Sequence, residues 1–345
     1  MNNPLKSPVA VCEFTETATR VLLPRVTPQG EIRVLGYGEA PVEGFRGGRF
    51  TNLSDAAECV WSAVSAARKQ SGVKFRDLVM SLDDPFLESV RATGSAHLEK
   101  GGEGFTQKHG EEAYARALQS VSPSEKHLVY EGVSQFLIDG EEYTSYPAGI
   151  LGRELTVVLE VLFSDSQQVQ NLRSVAQRAD LNVTGIFPTA WAALNGIRAD
   201  PKAPLTGPLA VAGRGVCHLV SIFGGAIRKH RSVLLPDGYD EDVLEAVAAF
   251  VRSSGAGAET TVGVTGDMAE DPAFLRQLGA KLKRNVRPLG SNLDEPVYQS
   301  PRFACLAGLA VLSRSVKPSK RFGGLDSEVI RKIKMRAKSF VQEYF

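Results

Sequence analysis

From Val329 to Phe345 the residue types are spaced for one kind of chemistry, attraction to an anionic membrane surface. Val329, Ile330, Ile333, Ala337, Phe340, Val341, Tyr344 and Phe345 fall on one stripe at helical spacing, and Arg331, Lys332, Lys334, Arg336 and Lys338 flank it. The spacing predicts a basic amphipathic helix over 325–345, with Asp326 or Ser327 as its cap and Glu328 at its positive end. In a bilayer interface the apolar face of such a helix enters the acyl boundary while its cations sit by anionic headgroups, each worth ~1 kcal/mol. A polar, basic linker precedes it over 315–324, containing Lys317, Pro318, Lys320, Arg321, Gly323 and Gly324. The same pattern would also suit a helix that docks on its own body or in a partner's groove. The linker, the basic flanks and the terminal aromatics favour the membrane, although Met335 lies off the stripe. One helix of this length binds weakly, so stable recruitment needs several copies and self-association is expected with it.

No other residues are spaced for catalysis. Cys12, Cys59, Cys217 and Cys305 lie far apart without zinc-ligand spacing and read as small buried hydrophobes. No metal site is expected. Ser134, Ser145 and the five histidines show no nucleophile pattern, and Asp83-Asp84 reads as the start of a turn. The 345 residues carry a net charge of +1, which by itself argues neither for nor against nucleic acid. No nucleic-acid partner is expected. Met1–Ser7 is polar and the apolar run after it is short, so no signal peptide is expected. No run is long enough to span a bilayer.

The elements that must carry this tail follow a repeated order. Val9–Leu23 reads as two strands around a polar turn, and a third strand begins at Glu31 after the turn Thr27–Gly30. A glycine-rich loop leads to a helix over 55–70, capped by Asn52 or Ser54 and ended by Ser71-Gly72, and then to a strand over Asp77–Leu82. Strands at 90–96, 127–138 and 155–163 surround a helix at 111–120. A helix capped by Ser164 or Asp165, a strand at 183–187 and a small helix at 189–196 follow. After a proline-rich linker (Pro201, Pro204, Pro208), strands at 209–212, 216–223 and 226–234 form a second meander. A helix at 240–253, a strand at 260–265 and helices at 272–282 and 303–313 complete the body. Three strands, then helix and strand, occur twice, the mark of an internal duplication.

Two α/β halves that each open with a meander resemble the actin, Hsp70 and hexokinase superfamily. Within it the chain resembles the bacterial division protein family FtsA. The resemblance rests on Gly36-Tyr37-Gly38 with Pro41, Gly44 and Gly47-Gly48 before a helix, on Asp77–Leu82, on Pro147–Gly152, and on Leu181-Asn182-Val183 with Ala190 and Ala193. The pilus adaptor PilM resembles FtsA through the same region. The fold this implies is α/β, with actin/Hsp70-like duplicated ribonuclease-H-type halves and an FtsA/PilM-type inserted subdomain. Its expected boundaries are 1–81 and 181–204 for the first half, 82–180 for the insertion, 205–314 for the second half, 315–324 for the linker and 325–345 for the membrane helix.

The resemblance implies a non-catalytic membrane adaptor at the inner face of the cytoplasmic membrane, holding FtsZ or another division or envelope protein and self-associating into a filament or dimer. A PilM-like adaptor of a type IV pilus or secretion machine, or an ATP-binding filament protein, is the alternative. Actin-like ATPases hold phosphates in glycine turns, because backbone N–H groups must approach closely. The turns corresponding to these fall at Cys12–Thr17, which has no glycine and carries Glu13 and Glu16, at Val211–His218, and at Val264–Met268. Gly213, Arg214, Gly215 and Gly266 are the residues expected at a remnant nucleotide cleft, with no cofactor or, alternatively, ATP. Only one helix, Asp240–Ser253, fills the place of the outer subdomain at which FtsZ's tail docks on FtsA-like proteins.

Overall fold

β1 (Val9–Phe14) and β2 (Ala18–Val26) are nearly all buried runs joined by a polar turn. The Thr15 hydroxyl closes that turn by accepting the Ala18 N–H at 3.1 Å. With β3 (Ile32–Pro41) they form the expected meander. This computed structural model describes residues 8–27, 29–98, 104–121, 126–143, 145–197, 205–236, 238–257 and 259–316. A small hairpin, β4 (Phe45–Arg46) and β5 (Arg49–Phe50), occupies the glycine-rich stretch expected as loop. α1 (Leu53–Ser71) follows, with Asn52 accepting the Ser54 N–H and Gly72 taking the left-handed cap. Its face of Ala56, Val60, Ala63, Val64 and Ala67 lies on the sheet. Gly36 and Gly38 allow this approach, since a Cβ on Gly38 would stand 1.9 Å from the Ala63 carbonyl oxygen.

β6 (Asp77–Leu82) then pairs parallel with β1. The insertion is a separate antiparallel sheet made of β7 (Glu88–His97), β8 (Lys126–Ile138), β9 (Glu141–Tyr143) and β10 (Glu154–Asp165), in the order β7-β10-β8-β9. α2 (Gln107–Gln119) covers one face of it. This helix begins four residues before the expected Glu111. The Thr106 N–H donates to His109 Nδ1 at 3.0 Å, so a histidine takes the capping role usually filled by an acidic or amide side chain. α3 (Ser166–Arg178), capped by Asp165, buries Val169, Leu172, Val175 and Ala176 in the core that α1 shares. β11 (Asn182–Pro188) completes the first sheet in the order β11-β6-β1-β2-β3, and α4 (Thr189–Gly196) leads out of it.

The second half repeats the plan. β12 (Gly207–Ala212), β13 (Val216–Phe223) and β14 (Ala226–Leu234) form the meander. α5 (Glu241–Ser253), β15 (Val262–Thr265), α6 (Pro272–Leu282) and β16 (Val286–Pro288) follow. The order β14-β13-β12-β15-β16 mirrors β3-β2-β1-β6-β11, with the fourth strand parallel to the first in both. The duplication is therefore present in strand order and direction. α7 (Ala304–Leu312) crosses α4 at backbone contact. A Cβ on Gly308 would fall 1.6 Å from the Ala192 carbonyl oxygen, and one on Gly196 would fall 1.8 Å from that of Ala304. Gly308→Val is expected to lower stability by about 3 kcal/mol in urea unfolding, because the helices must separate to admit the branched side chain.

Candidate functional site

The two meander turns meet between the halves. The β1–β2 turn, the β12–β13 turn and the turn after β15 line one cavity of about 40 Å³, which brings Gly213, Arg214, Gly215 and Gly266 together with Glu13, Glu16 and Arg20. The glycines do not face open space. A Cβ on Gly215 would stand 2.2 Å from Glu16 Oε1, and Gly266, with φ of 91°, lies against the Ala212 backbone. The Glu16 carboxylate in turn accepts the backbone N–H of Gly47 and, in addition, that of Gly48. Gly47 and Gly48 both have positive φ, 55° and 73°, which is how their N–H groups come to converge on one anion. The chain thus places a carboxylate of its own between its glycine turns. Desolvation raises the pKa of Glu16, the Gly47 N–H lowers it, and Asp83 adds to the rise.

Beside Glu16 a row of charges crosses the first sheet. Register sets Glu13 opposite Arg20 and Arg20 opposite Glu39 on three adjacent strands. Arg20 reaches Glu13 at 3.2 Å and Glu39 at 3.3 Å, and then crosses to Asp267 of the second half at 2.9 Å. Thr17 also donates to Asp267 at 3.3 Å. Arg302, from the second half, holds both oxygens of Glu39 at 2.8 and 3.0 Å, and the Tyr37 hydroxyl donates to Glu39 at 2.5 Å. Burial works against the Arg20 charge, but Glu13 and Asp267 outweigh it and hold the guanidinium charged. Glu13 is pushed up to about 7, chiefly by burial, with Arg20 opposing and Asp267 adding to the rise. Burial alone would raise Glu39, yet Tyr37, Arg20 and Arg302 together lower it. When Glu13 keeps its proton, two guanidinium groups balance two carboxylates.

A second bridge joins the halves deeper in the cleft. His218 Nε2 meets Asp83 Oδ1 at 2.7 Å, and His218 Nδ1 meets the Ser232 hydroxyl at 2.8 Å. The His230 ring stacks 5.9 Å from His218, and burial, followed by His218, pushes its pKa down to about 3. Serine, histidine and aspartate lie in line, yet His218 is buried and the cavity beside it is the same one of about 40 Å³. Both ring nitrogens of His218 are thus engaged, and the Asp83 bond clamps the two halves together. Asp83 therefore bonds across the halves instead of only opening a turn. Asp84 accepts from the Ser164 hydroxyl at 2.7 Å and from Arg49 at 3.4 Å. All four cysteines are buried, and among the described residues no three metal-ligating side chains are grouped to hold an ion.

A larger groove of about 530 Å³ opens elsewhere, between the inserted sheet, α4, the β13–β14 turn and the end of α7. Aromatic side chains from Tyr143, Phe187, Trp191 and Phe223 line it. Ile330, Arg331, Lys332, Ile333, Lys334, Arg336, Ala337, Lys338, Phe340, Val341, Tyr344 and Phe345 lie outside the described residues. Among the described residues no helix is long and apolar enough to cross a membrane. Sequence reasoning missed the Arg20 network and the Asp83–His218 bridge. One signal was available: once the turn at Thr15–Thr17 is placed, Glu13 and Arg20 must face each other across it.

No family model matches the chain. The cell division protein FtsA of Neisseria meningitidis serogroup B is 23% identical to it over 230 residues, covering 67% of this chain and 55% of the relative. FtsA of Pseudomonas aeruginosa is 21% identical over 264 residues, covering 71% of this chain and 62% of the relative. The chain thus spans about half the length of the curated relatives it matches. Among solved structures, a chain of the PilM-PilN type IV pilus biogenesis complex superposes with a TM-score of 0.61 at 14% identity, covering 90% of this chain and 99% of that one. At that identity the likeness shows the fold. Both sheets repeat one strand order and the alignments run to the same division protein, so the chain has the actin-type fold and is similar in sequence to FtsA.

Proposed function

We propose that this chain is a non-catalytic adaptor of bacterial cell division, which tethers a division protein such as an FtsZ-type filament to the inner face of the cytoplasmic membrane through segment 325–345. The observation that carries the reading is the basic amphipathic pattern of that segment, placed behind a polar linker on an FtsA-like body. Several copies acting together, in a dimer or filament, would turn weak single-helix binding into stable recruitment. The absence of a bound nucleotide is part of the proposal. Its support is that Glu16 fills the space between the glycine turns, and that about 40 Å³ is far below the roughly 300 Å³ at which small-ligand pockets begin.

Sedimentation with anionic vesicles tests the tether. The full chain is expected to pellet at low salt and less at high salt, while a chain ending at Gly324 and the variant Phe340→Glu stay in the supernatant. A full chain that stays soluble at every lipid concentration would exclude this tether. One observation favours a second reading. The groove of about 530 Å³ could hold a peptide of a membrane-protein partner, as an adaptor of a pilus or secretion machine would require.

A further inference from the structure

We infer that the groove between the inserted sheet and the second half is the docking site of this chain's own segment 325–345, so that groove and membrane compete for one apolar face. The competition rests on the membrane reading above; the docking does not. Three observations point to this occupant. The first is where the described chain ends. Leu312 and Ser315 form part of the groove wall, and Val316 packs beside Gly185, two residues from the groove residue Phe187. Residues 317–324 then separate Val316 from the amphipathic segment. Eight residues span at most about 26–29 Å, so the segment starts within reach of the groove it has just left. A tether that short supplies an effective concentration on the order of millimolar, enough to fill a weak site.

The second observation is the match of apolar character. Phe223 is 37% exposed on the groove, Trp191 is half-buried, and Gly224-Gly225 beside them leaves the floor without bulky side chains. These surfaces suit Ile330, Ile333, Phe340 and Tyr344, which the sequence puts on one stripe. The third is charge. The insertion's wall carries Glu131, and the exposed Glu142 of β9 reaches the lining residue Arg228, both carboxylates opposite in sign to the tail's Arg and Lys residues. Arg228, which lines the groove, is bonded to Glu142 and lies over the Phe223 ring at 4.0 Å.

The chain has two tryptophans, Trp61 exposed on α1 and Trp191 in the groove, and the tail has none. In a Trp61→Phe background, emission therefore reports the groove. The full chain is expected to emit at shorter wavelength than the chain ending at Gly324. Anionic vesicles should shift the full chain to the longer wavelength as the tail leaves. A synthetic 325–345 peptide should bind the shortened chain in trans and restore the shorter wavelength. Phe223→Asp should weaken that binding at least tenfold, and should let the full chain sediment at several-fold lower lipid. Identical emission from full and shortened chains, with no peptide binding, would overturn the docking and leave the groove to a foreign segment. Peptide binding in a chain that never sediments would support the docking and overturn the tether. Sedimentation with silent Trp191 would do the reverse.

Discussion

Arg20→Ala is expected to lower the unfolding free energy by about 3–5 kcal/mol, the range for breaking a buried ion pair from one side. The Arg20 side chain is 3% exposed and holds carboxylates from both halves. Without it Glu13 keeps its proton, since its chief opposing charge is gone. Among the described residues, Asp267, with a side chain 11% exposed, then retains the Thr17 hydroxyl. Glu39 keeps Arg302 and Tyr37, so most of the loss falls on the crossing between halves. Urea unfolding of the variant gives the magnitude. Hydrogen exchange should localise the loosening to the β1–β2 turn and the turn after β15. Arg20→Lys is expected to recover part of the loss, because an ammonium is one point charge and cannot spread over three carboxylates as the guanidinium does.

Glu13 also gives the protein a pH dependence. Its folded pKa of about 7 lies above the ordinary 4.5, so the native state holds this proton more tightly than the unfolded chain. Its contribution to stability is fully present below about 4.5 and is lost as pH rises through about 7. The difference is on the order of 3–4 kcal/mol, at ~1.4 kcal/mol per pKa unit. Charged or titratable groups facing Glu13 are Arg20 and Asp267, with the Cys305 thiol hydrogen-bonded to it. Glu13→Gln removes the titration and keeps a hydrogen-bonding side chain of the same length. Relative to the unaltered protein, the variant should therefore gain stability steadily from pH 5 to pH 8, as chemical unfolding at a series of pH values would show. A constant difference across that range would assign the proton elsewhere. Glu160, buried between Ser89 and β14 and also pushed up to about 7 by burial, is unchanged by this substitution and cancels from the comparison.

The elements were legible where local chemistry decides them. Apolar runs broken by short turns gave both meanders, and the caps Asn52, Gly72 and Asp165 act as their residue types require. The duplication was legible because strand order follows from element order once each half is read as meander, helix, strand. Short pieces were not. β9 and β16 have three residues each, and what makes them strands is the neighbour they pair with. Gly47-Gly48 read as loop, whereas it turns a tight hairpin whose N–H groups clasp Glu16.

The candidate cleft was legible in part. The turns that line the cavity were indicated by order along the chain, since two of them follow the first strand of a meander, the first without a glycine. What fills the cleft was not, because Arg20–Asp267 and Asp83–His218 join residues from different halves and leave no periodic trace in sequence. Only the packing of one sheet against the other creates those pairs.

In the adaptor proposed above, the cleft is bridged by the chain's own charges and holds no nucleotide. Calorimetric titration of the full chain with ATP and magnesium tests it most directly. The account predicts no saturable heat up to millimolar nucleotide, because Glu16 and the Arg20 network already occupy the space between the turns. A one-to-one binding curve with micromolar Kd would contradict it, and would mean that Glu16 and Arg20 give way to a phosphate.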